Sequence, residues 1–131
     1  MGKVEYVVNK YRLLRDYREH RIISGGYPYI HSIEVSNNCN LDCVMCNRDE
    51  HKTRGMGFMG LSRFKDLMDG YGRCFKALAL FFHGEPLLHK NIVEMVEYAR
   101  PRASTVNLTT NGTLLTPELA DGLMKAGLYS L

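Results

Sequence analysis

A repeated rhythm of strand, loop and helix constrains this chain more than any other feature. β-rich stretches start near residues 29, 75, 104 and 129. YIHSIEV at 29–35 alternates in the manner of a strand. FKALALFFHGEP at 75–86 is nearly all apolar up to Phe82, which suits a parallel strand covered on both faces. STVNLTTNG at 104–112 reads as a third strand and turn, and LYSL at 128–131 opens a fourth. Helical patterns fill the intervals. Ser62 is placed to cap RFKDLMDG, which Gly70 closes. Asn91 starts IVEMVEYA, which ends before Pro101. Thr116-Pro117-Glu118 supplies a cap residue followed by proline at the first helical position, and that helix runs to about Lys125, with Gly127 closing it. Units of about 30 residues with this alternation predict an α/β fold with a parallel sheet and right-handed crossovers.

Residues 3–23 precede the first unit. They carry Val4, Val7, Val8, Tyr11, Leu14 and Ile22 at helical spacing, and Gly25-Gly26 and Pro28 end the pattern. The basic run KYRLLRDYREHR within it reads as a solvated helix face. The expected organisation is therefore an N-terminal helical extension over 1–26 and an α/β unit over 27–131.

Composition narrows the function classes. With 131 residues, 45% hydrophobic and 24% charged, the chain can bury a core, and global disorder is not expected. A net charge of +3, scattered along the chain, gives no reason to expect nucleic acid. There is no apolar run of about 18 residues, so no membrane span is expected. The start MGKVEYVVNK has neither the apolar region of a signal peptide nor the Ser or Thr of a myristoylation motif. The expected address is the cytoplasm, where thiols stay reduced and clustered cysteines suggest metal or redox chemistry.

Function in parallel α/β sheets gathers in the loops at the C-terminal ends of the strands. Three unusual loops occupy that position here: NNCNLDCVMCNR, His83-Gly84-Glu85-Pro86, and Thr110-Asn111-Gly112. The first holds Cys39, Cys43 and Cys46. Three cysteines cannot all pair as disulfides, and they fall one short of a four-cysteine metal site. A [4Fe–4S] cube has four irons, usually held by four thiolates. Three protein thiolates leave one iron open to a small ligand, as a catalytic zinc keeps an open position. The competing reading is a structural zinc knuckle with Cys74 or His51 as fourth ligand. Cys74, however, opens an apolar strand and reads as a buried small hydrophobe, and zinc would not account for the other two loops. Taken alone, Gly84-Glu85-Pro86 is an ordinary strand-to-helix turn, and Asn111-Gly112 reads first as a plain turn and second as a site contact. His31, His83 and His89 read as capping, pairing or solvent-facing side chains, with His83 alone on the rim. Met56, Phe58 and Met59 read as packing residues near the mouth of the site.

C-x3-C-x2-C after the first strand, with Gly-Glu-Pro after the second, resembles the radical S-adenosylmethionine (SAM) enzymes. The resemblance implies a partial (βα)6 barrel, of which this chain holds the first half. It implies a [4Fe–4S] cluster on Cys39, Cys43 and Cys46 whose fourth iron takes the amino and carboxylate groups of SAM. An electron then cleaves the sulfonium, and a 5′-deoxyadenosyl radical removes hydrogen from a substrate. By the same resemblance Met45 lies beside the adenine, where the family often has an aromatic residue. Gly84, Glu85 and Pro86 hold the SAM amino group, with His83 in place of the family's first glycine. From its place on the rim, not from the resemblance, Asn111 is a further candidate for cofactor binding. The implied partners are SAM, a small-molecule or peptide substrate, and an electron donor such as flavodoxin or ferredoxin, with no nucleic acid and no membrane. No residue is assigned as a substrate-side acid, base or radical partner. The flanks YPYIHSIEVSNNCNLDCVMCNR, HGEPLLHKNI and LTTNGTLL resemble the branch whose members often carry an extra C-terminal cluster domain, including peptide-modifying maturases and the molybdopterin-precursor enzyme. The resemblance covers 27–131. By unit length, about 100 further residues would complete such a barrel, so the chain reads as an amino-terminal piece of an enzyme, with its sheet open at strand three. The alternative is a non-catalytic zinc- or iron–sulfur-binding module.

Overall fold

The computed structural model describes residues 3–46 and 55–131. Strands β1 (Ala77–Ala79) and β2 (Thr105–Asn107) pair in parallel, with Leu78 opposite Val106. An extended segment at 31–33 lies along the outer side of β1. Its Ile33 N–H donates to Ala79 O at 2.9 Å, and Ala79 N–H donates to His31 O at 2.8 Å. Along the outer side of β2, Tyr129 N–H donates to Val106 O at 2.8 Å and Leu108 N–H to Ser130 O at 3.0 Å. The Ser32–Ala79 and Asn107–Ser130 bridges are both parallel. Four segments thus lie side by side in sequence order, the arrangement that results when each βα unit adds to the same edge. Strand three is not the open edge the sequence suggested, because residues 129–130 cover it.

The regular strands are shorter than the β-rich stretches. The segment at 29–35 forms a single bridge, and 75–86 is regular only over β1. Leu80 N–H still reaches Asn107 O at 2.9 Å, but His83 N–H turns to the Glu34 carboxylate at 3.0 Å. A side chain has replaced the ladder, and there the strand becomes rim.

Helix α2 (Leu61–Tyr71) follows the cysteine region, α3 (Ile92–Ala99) follows β1, and α4 (Pro117–Lys125) follows β2. They bury Phe64 and Met68, then Ile92, Met95, Val96 and Ala99, then Leu123, against Ile33, Val35, Leu78, Leu80, Val106 and Leu108 of the sheet. The cap of α2 is Gly60 rather than Ser62, and the helix runs through Gly70 into a 3-10 turn at Gly72–Cys74. Asn91 precedes α3 without a side-chain cap; its N–H instead donates to His89 Nδ1 at 3.1 Å. The ends of α4 fall where the sequence placed them. Thr116 accepts from Leu119 N–H at 3.2 Å, and Gly127 takes a φ of 87°, a conformation that favours glycine.

Helix α1 (Lys3–Arg18) corrects the sequence reading. It stops five residues before 23, and His20 turns the chain with a φ of 50°. Val4, Val7, Val8, Tyr11, Leu14 and Ile22 are all exposed, while the buried residues of the helix are Asn9 and Asp16. Asn9 Nδ2 donates to Tyr27 O at 2.9 Å, and its Oδ1 accepts from Tyr27 N–H at 2.7 Å. Asp16 accepts from Gly25 N–H at 2.6 Å and Ser24 Oγ at 3.2 Å. The linker at 24–27 therefore satisfies backbone groups through the helix's polar side chains. No helix among the described residues is long and apolar enough to cross a membrane.

Candidate functional site

The cysteine loop is tied at its neck. Ser36 and Phe58 form an antiparallel bridge, and Met59 N–H donates to Val35 O at 2.9 Å. The Asn37 side chain acts as a substitute strand, donating to Gly55 O at 2.7 Å and accepting from Gly57 N–H at 2.6 Å. Residues 55–59 are thus the returning half of the neck. His89, buried behind it, bonds Met59 O through Nε2 at 2.8 Å, so both its ring nitrogens are engaged, in keeping with a pairing histidine.

Beyond the neck, Cys46 N–H donates to Cys43 O at 2.9 Å in a tight turn. Cys39 and Cys46 are half-buried, Cys43 is exposed, and all three are free thiols. Among the described residues no three His, Cys, Asp or Glu side chains converge as a single metal ion requires. A cube spreads its thiolates over separate corners, and three free thiols on one short tied loop fit such a donor set. Cys74 is 3% exposed and stands before β1, at the opposite end of the parallel sheet from the cysteine loop. It cannot serve as the fourth ligand of a knuckle. His51 lies outside the described residues.

The second rim loop is pressed against the base of the first. A Cβ on Gly84 would lie 2.0 Å from Ser36 O and 2.8 Å from Asn37 Cα, so only glycine allows this approach. Glu85 N–H donates to Asn38 O at 2.7 Å. His83 fits without strain. Among the described non-glycine residues only His20 has a positive φ, and the His83 ring stands edge-on to Phe82 at 4.2 Å.

Glu85 is 2% exposed. Its carboxylate accepts from Leu87 N–H at 2.8 Å, Thr110 Oγ1 at 2.7 Å and Asn111 N–H at 2.7 Å. It caps the 3-10 turn Pro86–Leu88, where Pro86 is buried, and it fastens the second rim loop to the third. In the third, Gly112 has a φ of 76°, and Asn111 Nδ2 lies 2.8 Å from Asn40 Oδ1 and 3.8 Å from Cys39 Sγ. Cys39, Gly84, Glu85, Pro86 and Asn111 are thus brought into one bonded rim. Met45 stands beside Cys46 and is 91% exposed. The sequence reading missed Glu34, Asn37, Asn40, Thr110 and Thr113 as the groups that tie the loops together. For Asn37, Asn40, Thr110 and Thr113 the signal is short polar residues in the loops that follow the β-rich stretches; Glu34 lies inside the stretch 29–35 and carries no such signal.

The family model described as the Radical SAM superfamily matches residues 33–131. The chain is 32% identical over 104 residues to an AdoMet-dependent heme synthase of Methanosarcina barkeri, covering 79% of this chain and 30% of that one. It is 38% identical over 100 residues to a GTP 3′,8-cyclase of Chlorobaculum tepidum, covering 73% of this chain and 29% of that one. Among solved structures, BtrN in complex with AdoMet and 2-DOIA superposes with a TM-score of 0.67 at 29% identity, covering 78% of this chain and 44% of BtrN. The chain thus spans about three tenths of the length of these curated relatives.

Proposed function

The chain belongs to the radical SAM superfamily, and on that premise we propose that it carries the cluster-bearing part of an enzyme that cleaves SAM reductively and abstracts hydrogen from a substrate. The superfamily's cofactors are a [4Fe–4S] cluster and SAM, and when bound they supply the electron and the 5′-deoxyadenosyl radical. Residues 27–131 are read as part of the core domain and 1–26 as an extension to it. Cys39, Cys43 and Cys46 would hold the cluster through three of its irons, leaving one open for SAM. The Asn37 bonds to Gly55 and Gly57 keep the two ends of that loop together, so the thiols are presented from a fixed base. Gly84 lets the second rim loop close on that base.

Glu85 takes a role other than direct ligand contact in this reading. Its carboxylate is buried and already accepts three hydrogen bonds, from Leu87, Thr110 and Asn111, which favours the backbone of the turn that Glu85 shapes as the contact for the SAM amino group. Met45 offers an exposed apolar side chain for the adenine. Substrate and electron donor are unassigned; a small molecule or peptide and a flavodoxin or ferredoxin fit the reading.

The observation that carries it is three free thiols on one tied loop, bonded to both other rim loops. The experiment is anaerobic reconstitution with iron and sulfide. The wild-type chain should turn brown with about four irons, the cubane content, and Cys39→Ala, Cys43→Ala and Cys46→Ala should each lose that colour. Cys74→Ala should keep it. A Cys74→Ala chain as colourless as the other three would defeat the three-ligand reading.

A further inference from the structure

Asn40, Asn111 and Thr113 close a ring of hydrogen bonds in which each donor meets an acceptor. Asn40 Nδ2 donates to Thr113 Oγ1 at 2.7 Å, Thr113 Oγ1 donates to Asn111 Oδ1 at 2.7 Å, and Asn111 Nδ2 donates to Asn40 Oδ1 at 2.8 Å. Thr113 N–H also donates to Asn111 Oδ1, at 3.0 Å. A backbone N–H can only donate, so this last bond fixes which end of the Asn111 amide is oxygen. The nitrogen end carries two hydrogens. One goes to Asn40, and the other is directed at Cys39 Sγ, 3.8 Å away.

We propose that Asn111 is a positioning residue for Cys39, and that its amide proton on the thiolate raises the reduction potential of the cluster this cysteine holds. The proposal rests on the reading above and deepens it. Reduction adds negative charge that spreads onto the ligand sulfurs. A donor aimed at one of them favours the reduced form, and such bonds are among the levers that set cluster potentials. The ring keeps the donor aimed. Bonds that run one way around a closed circuit polarise one another in the same sense, and a held amide loses little further freedom on meeting its sulfur. Asn40 directly follows Cys39, so the ring also ties the backbone next to the ligand to the third rim loop.

The test is the midpoint potential of the reconstituted 131-residue chain, followed by EPR during a redox titration. Asn111→Ala should retain its iron and sulfide and shift the midpoint to more negative potential. Thr113→Val removes the hydroxyl link but leaves the donor, and should shift it the same way by less. Lys125→Ala, on α4 and paired with Asp121, should leave it unchanged. A purely structural role would lower the melting temperature without moving the potential. An unmoved potential in an Asn111→Ala chain with a full cluster overturns the proposal. If that variant cannot hold a cluster, Thr113→Val decides: a negative shift supports the proposal and an unmoved midpoint overturns it. A wild-type chain that forms no cluster overturns the underlying reading, and this proposal with it.

Discussion

Gly84 is where one residue most directly decides whether the rim can form. The 2.0 Å approach to Ser36 O is to backbone, which cannot rotate away as a side-chain tip would. Gly84→Ala should therefore cost about 1–3 kcal/mol, as overpacking does elsewhere, and should weaken cluster retention. Gly57→Ala is the control. Nothing lies within 4 Å of its would-be Cβ, its φ is not positive, and its N–H bond to Asn37 survives. Urea denaturation of the two variants checks the difference, and equal midpoints would contradict the contact. The sequence made Gly84-Glu85-Pro86 legible as a turn at a strand's end, but spacing does not reveal where a carboxylate points. The destination of Glu85, inward onto Thr110 and Asn111, depends on a loop 25 residues further along the chain.

Among the elements, α4 was fully legible and α1 was not, and the reason lies in the kind of signal each carries. Thr116, Pro117 and Gly127 act locally, through caps and backbone preference, so no partner is needed to read them. The stripe on α1 promises a buried face only if something packs on it, and Val4 and Tyr11 are instead 78% and 67% exposed. What holds the helix to the linker at 24–27 is Asn9 and Asp16. The Arg15 side chain bonded to Asp16, and then the Gly25 N–H, hold its carboxyl below the ordinary carboxylate range. A carboxyl whose folded pKa is lowered contributes stability that is fully present above its unfolded value. That stability is lost as pH falls through the folded value. Protection of the Gly25 amide from hydrogen exchange should therefore hold above about pH 4 and decline below it. Asp16→Asn should abolish that decline, and an amide whose protection ignores acid would disprove the link.

Across the whole molecule, the βα rhythm correctly implied parallel strands, and with them a shared rim for three loops. It did not imply the bonds that fasten those loops, because they join side chains distant in sequence. The same rim shows what this chain does not enclose. Val44, Met45, Phe58 and Phe82 are large apolar residues exposed on the loops around the cysteines. Ligand pockets enclose about 70–90% of what they bind. A rim with these residues open to water would give SAM contacts on one side only, where water would weaken each polar contact and reach any radical formed. The 131-residue chain should therefore bind SAM weakly and form little 5′-deoxyadenosine per cluster when reduced with dithionite. The comparator is the Chlorobaculum tepidum relative, of whose length this chain matches 29%. Both would be reconstituted in the same way and normalised to iron. Low turnover in the short chain with an intact cluster would place the deficit in enclosure rather than in the cysteines. Equal turnover in the two would mean that the three tied loops suffice to seat SAM and shield the radical, and the enclosure argument would fall.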